Sequence, residues 1–123
     1  MQAGQLHPAA ATWLAEAGGT ANNDPGEVLL TPGFRVVVTR HCPEGTLLCD
    51  RVTYRGEDRV SGAWLQLRGS TVYHYCPDGI TPCRFLGYRF RNGSVSYEVD
   101  AEGRLRVIQA GRVLVDEQGR WQR

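Results

Sequence analysis

Lysine is absent from this chain, so its permanent side-chain cations are all arginines, fourteen of them. An all-arginine set fits a GC-rich coding sequence as readily as a functional demand. Guanidinium groups favour planar, bidentate partners such as carboxylate or phosphate. Here they are interleaved with acids, so no basic stripe for nucleic acid emerges. The net charge is only +1. It is also uneven: residues 1–33 carry Glu16, Asp24 and Glu27 with no arginine, which leaves the later part positive. No stretch is apolar and long enough to be a membrane-spanning helix. Residues 1–20 lack the basic and apolar segments of a signal peptide. If the protein is exported, the expectation is a mature or truncated chain with its signal removed.

Catalytic signatures are missing too. There is no G-x-S-x-G elbow, no H-E-x-x-H helix and no glycine-rich phosphate loop. No C-x-x-C pair offers a thiol of depressed pKa. The acids Glu57–Asp58 and Asp116–Glu117 are sequence neighbours, and neighbours on a strand point to opposite faces. They read as turn or surface charge rather than as a glycosidase pair. Of the three histidines, His7 lies in a loose N-terminal segment, His41 ends a strand, and His74 alternates with Val72 and Cys76. A strand histidine of this kind is a structural or interface residue. The expectation is a protein that is not an enzyme and holds no cofactor.

What is present is a duplicated cysteine spacing. Cys42 and Cys49 bound the segment CPEGTLLC, and Cys76 and Cys83 bound CPDGITPC; there are no other cysteines. In each, a proline follows the first cysteine, then an acid, then a glycine. Structural zinc wants two to four residues between paired ligands, which this spacing exceeds. Disulfides are expected, and with them an oxidising compartment. Four cysteines allow three connectivities; local pairing, Cys42 with Cys49 and Cys76 with Cys83, is the expected one. Each closed loop is worth about 2.5 kcal/mol in the chain-entropy picture.

The length fits one domain, large enough to bury a core without staples. Residues 1–33 read as an N-terminal arm, disordered in part, with one short helix over Pro8–Ala17 and a linker over residues 18–27. Residues 34–123 read as a β domain. Its strand candidates are FRVVVTR, LLCDRVTYR, RVSGAWLQLR, TVYHYC, RFLGYRFR, SVSYEV, RLRVIQ and RVLVDE, separated by turn signals, with Asn92–Gly93 the strongest hairpin signal. The fold class is all-β: about eight antiparallel strands in a meander, folded as a sandwich or open barrel. Glu98 and the arginines 104, 106 and 112 face outward and can pair across strands.

With catalysis set aside, binding remains. Tyr54, Trp64, Tyr73, Tyr75, Tyr88 and Tyr97 supply aromatic surface, mostly core, with a minority free to act as anchors. A disulfide-fixed loop loses little entropy on docking. Glu44 and Asp78 stand at matching positions in the two loops, either as recognition acids or as turn formers. The candidate partner-binding residues are Glu44, Asp78, Tyr73, His74 and Trp64.

The strings CDRVTY at Cys49–Tyr54, CPDGITPCRFLGY at Cys76–Tyr88 and FRNGSVSY at Phe90–Tyr97 resemble small periplasmic proteins encoded beside type VI secretion effectors. The family they look like is that of the immunity proteins that neutralise phospholipase D-type lipase effectors. The resemblance spans residues 42–121. It implies export to the periplasm, disulfides and a cognate effector protein as partner, bound so that its active site is covered. It brings no catalytic residues, and residues 1–33 lie outside it. A periplasmic lysozyme inhibitor is the alternative, since those proteins are also small, β-rich and disulfide-bearing.

Overall fold

The computed structural model describes residues 26–122. The helix expected over Pro8–Ala17 lies outside them. The described chain is all-β: nine antiparallel strands, β1 (Gly26–Leu30), β2 (Phe34–Arg40), β3 (Val52–Asp58), β4 (Trp64–Tyr75), β5 (Pro82–Asn92), β6 (Val95–Asp100), β7 (Arg104–Gln109), β8 (Arg112–Gln118) and β9 (Arg120–Gln122). Each strand from β1 to β8 pairs with the next in sequence, and β9 pairs with β1. Only Gly119 separates β8 from β9. One stretch of chain therefore changes partner, from β7 to β1, and nearly closes the sheet into a barrel. A Cβ on Gly119 would collide with the Leu30 carbonyl oxygen, so the switch needs glycine there.

Alternation sets which residues point inward. Phe34, Val36 and Val38 of β2, Val52 and Tyr54 of β3, Leu65 and Leu67 of β4, and Tyr97 and Val99 of β6 are all buried. A girdle crosses six strands through the register Val52–Gly69–Phe90–Tyr97–Val107–Val115. Gly69 is its one small member. A Cβ there would meet the Arg89 carbonyl oxygen and stand 2.5 Å from Phe90 Cδ2, so the glycine makes room for the Phe90 ring.

The closing seam is polar. Glu117 Oε1 accepts hydrogen bonds from Thr31 Oγ1 at 2.7 Å and from the Gly33 amide at 2.9 Å, which ties β8 to the β1–β2 turn. Its neighbour Asp116 takes a two-pronged bond from Arg104 at 2.6 and 2.7 Å. That pair continues an outer row in which Glu98 lies 3.7 Å from both Arg89 and Arg106. The two adjacent acids thus serve separate structural roles. So does Asp58, which is buried and caps the β3–β4 turn through the amides of Val60 and Ser61.

Several boundaries differ from expectation. RVSGAWLQLR and TVYHYC are largely one strand, β4, because Gly69–Ser70 stays extended where a turn was expected. Residues 47–51 belong to the first disulfide loop, and β3 begins at Val52. Strand β3 runs on to Asp58, so the turn falls at residues 59–63 instead of 56–58. Gly26–Leu30, inside the segment read as arm and linker, forms β1. Its apolar stretch is too short to show a period, and pairing with β2 and β9 decides its state.

Candidate functional site

Both disulfides close locally, with Cα–Cα separations of 5.9 Å for Cys42–Cys49 and 5.1 Å for Cys76–Cys83. They place the protein in an oxidising, extracytoplasmic environment. The first loop joins β2 to β3. The second joins β4 to β5, and both open toward the same end of these strands.

They sit at different heights there. Strand β3 stops pairing with β4 at Gly69, while β4 continues to Tyr75. On the other side, β6 stops pairing with β5 at Gly87, while β5 begins at Pro82. From Tyr73 to Phe85 the sheet is therefore two strands wide. Strand β4 runs roughly 20 Å past its last pair with β3, and roughly the outer 10 Å of that, at about 3.3 Å per residue, lacks a flanking strand on both sides. An isolated two-stranded hairpin is marginal in water, and the sequence braces this one at both ends. At the tip, Cys76–Cys83 closes the turn. Asp78 Oδ1 there accepts the amides of Ile80 at 2.8 Å and Thr81 at 2.9 Å. A bond from the Thr81 hydroxyl, helped by these two amides, holds the Asp78 carboxyl below the usual carboxylate range. At the base, Thr71 latches onto the first loop. Its amide donates to the Cys49 carbonyl at 2.9 Å, and its Oγ1 accepts from the Cys49 amide at 3.0 Å. Cys49 itself is buried in the core.

A ladder of aromatic rings runs from the barrel interior out along the arm. It passes Tyr97, Tyr54, Phe90, Tyr88, Phe85 and Tyr73, with neighbouring centroids 5.1 to 6.3 Å apart. Arg40, the last residue of β2, stacks against its outer part. Its Cζ lies 5.0 Å from the Phe85 centroid and 5.4 Å from that of Tyr88, and its Nε donates to Tyr88 Oη at 3.2 Å. Burial pushes the Tyr88 phenol up, and Arg40 opposes that shift.

Of the expected binding residues, the structure gathers four at this end. Tyr73 packs on Phe85, His74 is exposed on the arm, Asp78 is in the tip, and Glu44 is exposed in the first loop. Asp78 is committed to its own turn. Trp64 lies at the other end of β4, under Arg55, whose Cζ is 4.1 Å from the ring centroid. Sequence reasoning missed Arg40, whose role depends on rings from β5. It also missed the apolar side chains around the loops: Ile80 is 79% exposed, Leu47 and Leu48 about half exposed, and Tyr75 45%. Four of the six large apolar side chains exposed among the described residues lie on the two loops and the arm; Val60 and Val113 lie elsewhere.

His41 Nε2 lies 3.0 Å from Thr53 Oγ1. Among the described residues, no group of three or more His, Cys, Asp or Glu side chains is placed to hold a metal ion, and no helix is long and apolar enough to cross a membrane. No known family model matches this chain, and no curated protein or solved structure is significantly similar to it.

Proposed function

We propose that this protein is a periplasmic immunity protein, a binder that inhibits a cognate antibacterial effector of the phospholipase D type. The β4–β5 arm and the adjoining first loop form its contact surface. The observation that supports this reading most is the arm itself: a narrow projection, locked at tip and base, with Leu47, Leu48, Tyr75 and Ile80 exposed around it. Such a surface has little conformational freedom left to lose, so most of its contact energy is available for affinity. Protecting a cell from a membrane-degrading enzyme requires about nanomolar binding, near −12 kcal/mol. An interface of ordinary size, roughly 800 Å² on each partner, can supply that. The sequence strings around both disulfides supply the choice of effector class.

The test is co-expression with the product of the neighbouring gene. A stable complex, loss of lipase activity in the complex, and rescue of cells that receive the effector in the periplasm are the expected results. Protection against a peptidoglycan hydrolase, with none against a lipase, overturns the effector class and favours the lysozyme-inhibitor alternative. Inhibition that survives Ile80→Asp and Leu48→Asp together removes the arm from the account.

A further inference from the structure

We propose that Arg40 is the receptor for a carboxylate of the bound partner, an acidic side chain that enters the recess below the arm. The inference rests on the arm's end of the barrel being the contact surface. Gly26, Glu27, Val38, Arg40 and Tyr88 line a recess of about 270 Å³ there. That is ample for a side-chain head group and lies just under the lower end of the range for drug-sized ligands, about 300 Å³. Arg40 is fixed within it from two directions. Its Cζ lies over the Phe85 and Tyr88 rings, and Tyr88 Oη takes the Nε hydrogen. A guanidinium has five N–H donors; Tyr88 takes one and the Tyr73 hydroxyl engages a second, which leaves three for a ligand. Among the ion pairs of the described residues, none includes Arg40. The other stacked arginine, Arg55 on Trp64, lies at the opposite end of β4.

The planar fork matches a carboxylate or a phosphate in two-pronged geometry. Charge separates the two. Glu27 lines the same recess and acts electrostatically on Tyr88. A second negative charge on the ligand therefore meets repulsion that a carboxylate, with one, meets less. A carboxylate inserted here is also partly shielded from water by the aromatic wall, which strengthens its attraction to the guanidinium.

Two measurements test this. In the first, the ¹⁵N-labelled protein is titrated with acetate and, separately, with inorganic phosphate at pH 7 and constant ionic strength, following arginine Nε–H signals. A saturable shift at Arg40 with acetate, tighter than with phosphate and lost in Arg40→Gln, is the expected result. A shift at Arg40 no larger than at the exposed arginines overturns the proposal, and so does tighter binding of phosphate. In the second, Arg40→Gln and Arg40→Lys are compared for inhibition of the effector, with thermal melts as the folding control. Both are expected to weaken inhibition by at least tenfold, since lysine keeps the charge and loses the fork. Full inhibition by Arg40→Gln, with Ile80→Asp still defective, sinks the carboxylate receptor and leaves the binding surface standing. Full inhibition by both removes the surface as well.

Discussion

Removing the two disulfides one at a time separates their roles. They have the same sequence separation, seven residues, so the chain-entropy picture assigns each about 2.5 kcal/mol. The structure distributes that quantity differently. Cys76–Cys83 closes a two-stranded arm whose outer part lacks flanking strands, so Cys76→Ala with Cys83→Ala releases the arm locally. An opening free energy lowered by about 2.5 kcal/mol raises exchange of arm amides roughly 70-fold. Girdle amides near Val52, Tyr97 and Val107 keep their protection, and Tm falls by only a few degrees. Cys42→Ala with Cys49→Ala acts on the core, because Cys49 is buried and its backbone is latched to Thr71. That loss enters the global stability. For a domain of roughly 100 residues it lowers Tm by about 10–20 °C. Hydrogen exchange by mass spectrometry and thermal melts on both variants measure the contrast. Equal Tm losses, or an arm that stays protected without its bridge, refute the division of labour.

Four other changes follow from specific contacts. Glu117→Ala, which takes the acceptor from the Gly33 amide and leaves the Thr31 hydroxyl only the longer bond to the Phe34 carbonyl, costs about 2 kcal/mol in urea melts, and Glu117→Gln recovers part of it through its carbonyl oxygen. Gly69→Ala drives a Cβ into the Arg89 carbonyl and the Phe90 ring and costs about 3 kcal/mol or more, read as a fall in the urea midpoint or as insoluble protein. Tyr54→Phe removes a buried hydroxyl that has no hydrogen-bond partner among the described residues and is neutral or stabilising by up to about 1 kcal/mol; a loss above that contradicts the assignment. Burial, opposed by a bond to Asn92, pushes Tyr97 up to about 12. Its folded pKa is above its unfolded value near 10, so the stability linked to its neutral form is complete below pH 10. It is lost as pH rises from 10 toward 12, and Tyr97→Phe removes that part of the alkaline dependence in equilibrium melts.

The strand class, the β6–β7–β8 hairpins and the local bridges were legible because each has a short-range cause. Alternation along Val95–Val99 and the Asn92–Gly93 turn are properties of adjacent residues, and a closed eight-residue loop needs no distant partner. What was not legible depends on residues far apart in the chain. Gly69 reads as a turn until Phe90 is placed beside it. Val28–Leu30 is too short to show a period until β2 and β9 pair with it. Gly119 reads as a terminator, whereas its lack of a Cβ lets the chain change partners. Asp78 and Glu44 look equivalent in sequence, yet Asp78 bonds its own turn while Glu44 remains exposed.

The aromatic ladder accounts for why the arm has a fixed direction as well as a fixed shape. A disulfide at a hairpin tip limits the hairpin's own conformations but leaves it free to swing about its base. Direction requires contacts that cross the base. Tyr88 supplies them, since it packs against Phe90 on the barrel side and against Phe85 on the arm side. Arg40 from β2 then bridges Tyr88 and Phe85, which ties the arm to a strand other than its own two. Phe85→Ala removes the contact with both Tyr73 and Tyr88 while leaving the Cys76–Cys83 bridge and the Asp78 turn intact. The arm then keeps its tip and loses its bearing. On the proposed function, affinity for an effector falls by at least tenfold through a slower association rate, since fewer encounters meet the arm in its docked direction, and amides at the tip, near Ile80 and Thr81, keep their protection. Unchanged association kinetics for Phe85→Ala would show that the Thr71 latch at the base aligns the arm without the rings, and that the ring ladder serves only the core.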